Sequence, residues 1–266
     1  MSAEQHHSAD TARYTGGDLA AALQLPEFPR SAKYEPTWML ENLMGPNALW
    51  LTEALTERME LRPGMRVLDI GCGRAISSIF LAREFGVQVW ATDLWIAASD
   101  NWARVREAGL TDSVFPIHAE AHALPFAHGF FDAIVSADAY HYFGTDNLYL
   151  SYFAHFVRPG GQIGIIVPGL REEFADGLPP HLIPYWHPDF WSFHSPAWWR
   201  THWERMGLVA TEVADMVPRG WEHWLRWLEV AGAHGYRSDE QEAAMIRLDA
   251  GRNLGFTRLV ARKVEG

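Results

Sequence analysis

The chain of 266 residues contains one cysteine, Cys72. A single cysteine excludes an intrachain disulfide and any zinc site built on cysteine pairs, and it fits a reducing, cytoplasmic setting. No apolar run reaches the roughly 18 residues that a membrane-spanning helix needs. The opening "MSAEQHHSAD" has neither a basic n-region nor an apolar h-region, so no secretory signal is expected there. Basic residues are outnumbered, Lys+Arg 22 against Asp+Glu 33, for a formal net charge of −11. A chain of that sign has no general attraction for phosphate backbones or anionic membranes, which argues against nucleic acid and membrane as partners. Internal repeats and low-complexity tracts are also missing. The first 15 residues are polar and are expected to be mobile.

What is present is a large apolar fraction, 48%, enough for one sizeable core, so a single domain over 1–266 is the expectation. Tryptophan is abundant, with 13 in the chain, and eight of them fall between His181 and Val230. The front half reads as an ordinary α/β chain, and the rear third carries the aromatic load.

The stretch "VLDIGCGRAISSIFLAREFG", Val67 to Gly86, is the most informative. A short buried strand ends in an acid, a glycine turn follows, and from Ala75 the apolar residues Ile76, Ile79, Phe80 and Phe85 fall at near-helical spacing. In a strand–turn–helix unit the glycines let backbone approach a ligand, and the helix start offers free N–H groups. The next strand, "VQVWATD", ends in Asp93, at the spacing where an acid commonly meets ribose hydroxyls. A dinucleotide fingerprint wants Gly or Ala at the sixth position from Gly71, and Ile76 stands there instead. With Asp69 just before the turn, the tip suits an adenosine ligand bearing an amine better than a pyrophosphate.

These residues carry a resemblance. "VLDIGCGRA", "VWATDLW", "HAEAHALPFAHGFFDAIVSADAYHYF" and "FVRPGGQIGIIVP", in that order over Met65 to Pro168, resemble the motifs of class I S-adenosylmethionine (SAM)-dependent methyltransferases. The group most resembled is that of the ubiquinone/menaquinone C-methyltransferase-like and cyclopropane-fatty-acid-synthase-like proteins. The resemblance implies a doubly wound, mostly parallel seven-stranded sheet of Rossmann-like type, with an antiparallel last strand and a helical cap. It implies SAM as cofactor and assigns residues to it. Asp69 orients the turn and the methionine end, with Gly71, Cys72 and Gly73 forming the turn itself. Asp93 takes the ribose and Leu94 stacks on adenine, while Ala119, Glu120 and Ala121 line the adenine edge. Ala75 stands where the family often has a third glycine, a change expected only to tighten helix packing.

Strand–helix alternation places strands near 66–71, 87–93, 114–118, 131–137 and 161–168, with a later pair at 207–217 and 255–263. Helices are expected in the segment up to Leu61, which forms an N-terminal cap (1–61). Another should run from Ser195 as N-cap to Gly207. Residues 62–217 and 254–266 then form the SAM-binding core, and 218–253 a two-helix insertion. In that insertion Trp221, Trp224 and Leu228 share a face, and Ser238 with Gln241 has capping-box spacing.

Candidate chemistry follows the fourth strand. His141 is the candidate general base, and Asp138 with Tyr140 or Tyr142 could orient an acceptor. The alternative is that His141 caps the helix near Asp146. The aromatic loop from Pro184 to Trp199 reads either as a packed lid or as a lining for a planar or cationic acceptor. His118 with His122, and His181, His187 and His194, lack metal-binding spacing, so no metal site is expected. The expected activity is methyl transfer to a small molecule through an N, O, S or C atom. Other sulfonium chemistry such as lipid cyclopropanation, a non-catalytic SAM-binding protein, and a nicotinamide enzyme are the competing readings. The oligomeric state is left open.

Overall fold

A computed structural model describes residues 16–265. The polar N-terminal stretch whose mobility the sequence predicts lies outside the described residues. Strands β1 (Arg66–Ile70), β2 (Gln88–Asp93), β3 (Val114–His118), β4 (Phe131–Ala137), β5 (Val157–Leu170), β6 (Val209–Met216) and β7 (Leu254–Lys263) form one sheet of order β3-β2-β1-β4-β5-β7-β6. The first five pair in parallel, and β7 lies antiparallel between β5 and β6. The chain winds outward from β1 to β3 and then returns to β4 on the other side of β1. That reversal is the switch point outside which open α/β sheets bind ligands.

Alternation along the strands fills two cores. Val67, Val89, Val135 and Val260 face one side, where they meet α1 (Gly16–Leu23), α2 (Pro36–Glu41), α3 (Ala48–Thr56), α4 (Ile76–Phe85), α8 (Gly220–Ala233) and α9 (Glu240–Asp249). Leu68, Ile134, Ile165 and Leu259 face the other, against α6 (Tyr149–Phe153) and α7 (Pro196–Glu204). Covering both faces is why the central strands read as continuous apolar runs. A further helix, α5 (Ala98–Glu107), joins β2 to β3 and buries Val105.

Several local expectations hold. Ser195 Oγ accepts from the Trp198 N–H at 3.2 Å, with Pro196 opening α7. Helices α8 and α9 stand between β6 and β7. Three expectations are corrected. Ala75 lies outside α4 in a left-handed conformation, φ 59° and ψ 20°. A side chain at that position costs about 1–2 kcal/mol, so its effect is on the turn rather than on helix packing. The N-cap of α9 is Asp239, not Ser238: the Asp239 carboxylate accepts from the Gln241 and Glu242 N–H groups, while Ser238 Oγ donates to the Leu228 carbonyl. Strand β5 starts at Val157 rather than 161, because Val157 pairs with Phe131 before a register shift.

Candidate active site

The tips of β1 and β2 lie side by side, with Ile70 opposite Thr92. The turn that follows β1 is held from β2. Gly71 and Cys72 donate their N–H groups to the Thr92 carbonyl at 2.9 and 3.1 Å. Gly73 donates its N–H to Asp93 Oδ2 at 2.8 Å. The other Asp93 oxygen accepts from Trp95 N and Ile96 N at 2.8 and 2.9 Å. Three successive amides of the turn are therefore committed to β2, and none of the three is left to bind a phosphate. Glycine is required at position 71: φ is +71°, and a Cβ there would lie 2.2 Å from the Ala139 Cβ.

Asp69 stands behind this turn, not in the cavity wall. It is 1% exposed, and its Oδ2 accepts from both Ser77 Oγ and Ser78 Oγ at 2.6 Å. Burial raises its carboxyl from 3.8 to about 6. Its visible work is to fasten the start of α4 to β1. The Cys72 thiol is likewise pushed up by burial, so it is no nucleophile.

A cavity of about 830 Å³ opens outside the strand tips. Its first wall carries Gly71, Cys72, Gly73, Asp93 and Leu94, with Ala119, Glu120 and Ala121 close by. The Glu120 carboxylate folds back on His122, accepting from its backbone N–H at 2.9 Å and lying 2.8 Å from Nδ1. Those contacts hold Glu120 below the usual carboxylate range.

The second wall begins at the end of β4. Asp138 has a left-handed backbone, φ 58°, and burial followed by the charge of Glu242 pushes its carboxyl well up. His141 is 2% exposed and lines the cavity. Its ring neighbours are Tyr142 at 4.0 Å and Phe193 at 5.7 Å, while the Asp146 carboxylate caps the Leu148 N–H instead. Burial lowers His141 to about 3, so the imidazole is neutral and is a weak base. Tyr142 lines the mouth. Tyr140 does not join them: it is 0% exposed and packs among Phe153, Trp199 and Trp203 on the opposite face of the sheet. The rotation of one residue along this short turn separates neighbours that the sequence groups together.

The aromatic loop divides between the cavity and the core. Phe190 and Phe193 stack at 4.8 Å and reach the cavity, whereas Trp199 is buried beneath. The inserted helices complete the wall with Trp224, Trp227, Leu228 and Glu242. Trp227, Glu242 and the segment Met44–Pro46 carry no motif that marks them in the sequence. Only the helical period of α8 could have pointed to Trp227; Glu242 reaches the site through a long-range fold that leaves no local pattern. Asn101 Nδ2 also donates to the Gly73 carbonyl at 2.9 Å, and Arg104 links Asn101 to Asn42. This chain ties the N-terminal segment to the glycine turn. Among the described residues no group of three or more His, Cys, Asp or Glu gathers as a metal site, and no helix is long and apolar enough to cross a membrane.

Residues 67–161 match the family described as a methyltransferase domain. Over 135 residues the chain is 33% identical to methyltransferase GfsG of Streptomyces halstedii, covering 48% of each chain. Its fold is similar to that of Haemonchus contortus phosphoethanolamine N-methyltransferase 2 solved with SAM, with TM-score 0.68 and 18% identity over 96% of this chain and 58% of that one. It is also similar to the [4+2]-cyclase SpnF, with TM-score 0.65 and 20% identity over 82% of each chain. The chain spans about half the length or less of the curated relatives it matches. The ordered motifs, the sheet order and the family match over residues 67–161 together make this part of the chain similar to the SAM-binding core of class I SAM-dependent methyltransferases.

Proposed function

We propose that the chain moves a methyl group from SAM to a small diffusible acceptor, with S-adenosylhomocysteine as the co-product. The carrying observation is the glycine turn held closed by Asp93 and Thr92. It offers close backbone approach without amides for a pyrophosphate, on the same cavity as a wall of rings and carboxyls. In this reading Asp93, with room for a further hydrogen bond beyond its three backbone donors, accepts from a ribose hydroxyl. Leu94 and Ala119 to Ala121 bound the adenine, and Asp69 acts by holding the turn. SAM supplies a methyl already activated on a sulfonium. The protein's part is then to position the acceptor and exclude water, which its capping helices suit. His141 positions rather than abstracts a proton. An acidic balance and a single buried cysteine support a cytoplasmic setting and disfavour nucleic acid and membrane as partners.

The fold alone also carries a [4+2]-cyclase, so transfer has to be measured. Incubation with methyl-labelled SAM and a panel of small acceptors is expected to give labelled product and S-adenosylhomocysteine. Micromolar NAD binding with no SAM binding overturns the assignment; SAM binding without label transfer to any acceptor leaves a cofactor-binding protein or other SAM chemistry.

A further inference from the structure

The acceptor wall is unbalanced in hydrogen-bond sense. Asp138 at the end of β4 and Glu242 on α9 come from distant parts of the sequence and line the same cavity. Glu242 Oε1 accepts from the Trp224 indole at 2.6 Å. His141, on the same wall and 2% exposed, has an Nδ1 with no hydrogen-bond partner. Burial of these carboxyls raises both, Glu242 to about 6, and the charge of Glu242 raises Asp138 further. Two carboxyls held away from water and near one another resist ionising together. A cation placed between them removes that resistance. Four rings, Tyr142, Phe193, Trp224 and Trp227, line the same cavity, and an aromatic face attracts a cation through its quadrupole. Two arginines also line the cavity: Arg74, which follows the glycine turn, donates Nη1 to the Glu41 carbonyl at 2.5 Å and keeps a buried Nε without a partner, and Arg237 is exposed.

We propose that the acceptor is an organic amine that enters as its ammonium, with Asp138 and Glu242 as counter-charges, His141 as a further hydrogen-bond acceptor and the rings as walls; the ammonium passes one proton to a carboxylate of this pair, and the freed nitrogen lone pair takes the methyl as its bond to the SAM sulfur breaks, leaving S-adenosylhomocysteine. The inference rests on the methyltransferase reading for the word acceptor, but the binding site stands on its own residues. A carboxylate or phosphate-bearing head group is repelled from this wall, and a neutral alcohol brings one donor and no charge to its two carboxyls.

Calorimetry separates the two readings. S-adenosylhomocysteine is titrated first; its failure to bind counts against the methyltransferase reading alone. N,N-dimethylethanolamine, a cation at neutral pH, is then titrated against its uncharged isostere 3-methyl-1-butanol, with and without S-adenosylhomocysteine. The cation is expected to bind at least about tenfold more tightly than the alcohol. Asp138→Asn and Glu242→Gln are each expected to remove about tenfold of that preference while S-adenosylhomocysteine affinity stays within a few-fold. Asparagine tolerates the left-handed backbone at 138, and glutamine keeps an oxygen for the Trp224 indole, so both variants retain the fold's contacts; melting curves check this. Equal binding of amine and alcohol, or an unchanged preference in both folded variants, overturns the proposal.

Discussion

Trp227 donates its indole N–H to the Gly45 carbonyl at 2.8 Å. This bond joins helix α8, which lies between β6 and β7, to the connection between α2 and α3, and both sides of it line the cavity. The N-terminal segment and the insertion thus close on each other rather than covering the sheet independently. Arg226 adds a second tie, donating to the Ala22 carbonyl at the end of α1.

Replacing Trp227 by Phe keeps a ring in the core and removes this donor. The Gly45 carbonyl then loses its partner, at a cost of about 1 kcal/mol. For a domain of this size that lowers the melting temperature by about 2–4 °C. Faster proteolytic nicking of residues 42–47 is expected in parallel. A variant that melts with the wild type and resists protease equally shows that the Trp227–Gly45 bond does nothing to hold the two cap segments together.

The sequence makes the front half legible because its signals are local. A buried strand, a glycine turn and an acid at the next strand's end need only nearest neighbours to be read. The part Ala75 plays is not legible in the sequence, because its left-handed backbone is imposed by the turn and alanine carries no mark of it. Ser238 and Asp239 are adjacent cap formers, and which one caps is decided by Ser238 turning to the Leu228 carbonyl on another helix. Tyr140 and His141 are neighbours in sequence and part company only when the short turn after β4 sends Tyr140 into the core beneath α6 and α7 and His141 into the cavity wall. Glu242 could not be read at all, because its place opposite Asp138 depends on the path of the whole chain between them.

Asp93→Ala removes the acceptor of three backbone N–H groups and opens the glycine turn. S-adenosylhomocysteine affinity is expected to fall by about 1–3 kcal/mol, with some loss of melting temperature. Asp93→Asn should fall between the two, since one amide oxygen remains to accept. Titration calorimetry on the folded variants checks this, and wild-type affinity in Asp93→Ala would move the ribose contact to another residue.

Asp69 gives a pH-dependent test. Its carboxyl is raised by burial to about 6, from 3.8. The folded state therefore holds this proton more tightly than the unfolded chain does. Its contribution to stability is full below about 4 and is lost as pH rises from about 4 to about 6. Asp69→Asn keeps an oxygen for the Ser77 and Ser78 hydroxyls and cannot ionise. Relative to wild type, the variant is expected to gain roughly 1–3 kcal/mol as pH is raised from about 4 to about 7. Other titrating groups are common to both proteins and cancel in the difference. Urea denaturation across that range reads the effect directly, and a difference that stays flat with pH means the buried carboxyl keeps an ordinary affinity for its proton.

The glycine turn offers the sharpest test, because two separate penalties meet at one residue. At Gly71 a Cβ would lie 2.2 Å from the Ala139 Cβ, and φ is +71°. Gly71→Ala therefore meets both a clash with the loop after β4 and the left-handed penalty, the second worth about 1–2 kcal/mol. Ala139→Gly removes the clash and leaves the backbone penalty. In the double variant part of the loss should return, giving a coupling energy of about 1 kcal/mol or more between two residues that are far apart in sequence. S-adenosylhomocysteine binding should follow the same order: lost or strongly weakened in Gly71→Ala, partly recovered in the double variant, and near wild type in Ala139→Gly. Measuring all four proteins by denaturation and by calorimetry completes the cycle. If stability recovers in the double variant while binding does not, the close approach at Gly71 serves the ligand rather than the packing. If neither recovers, the left-handed backbone alone governs the turn, and the contact between β1 and the β4 loop carries no energy of its own.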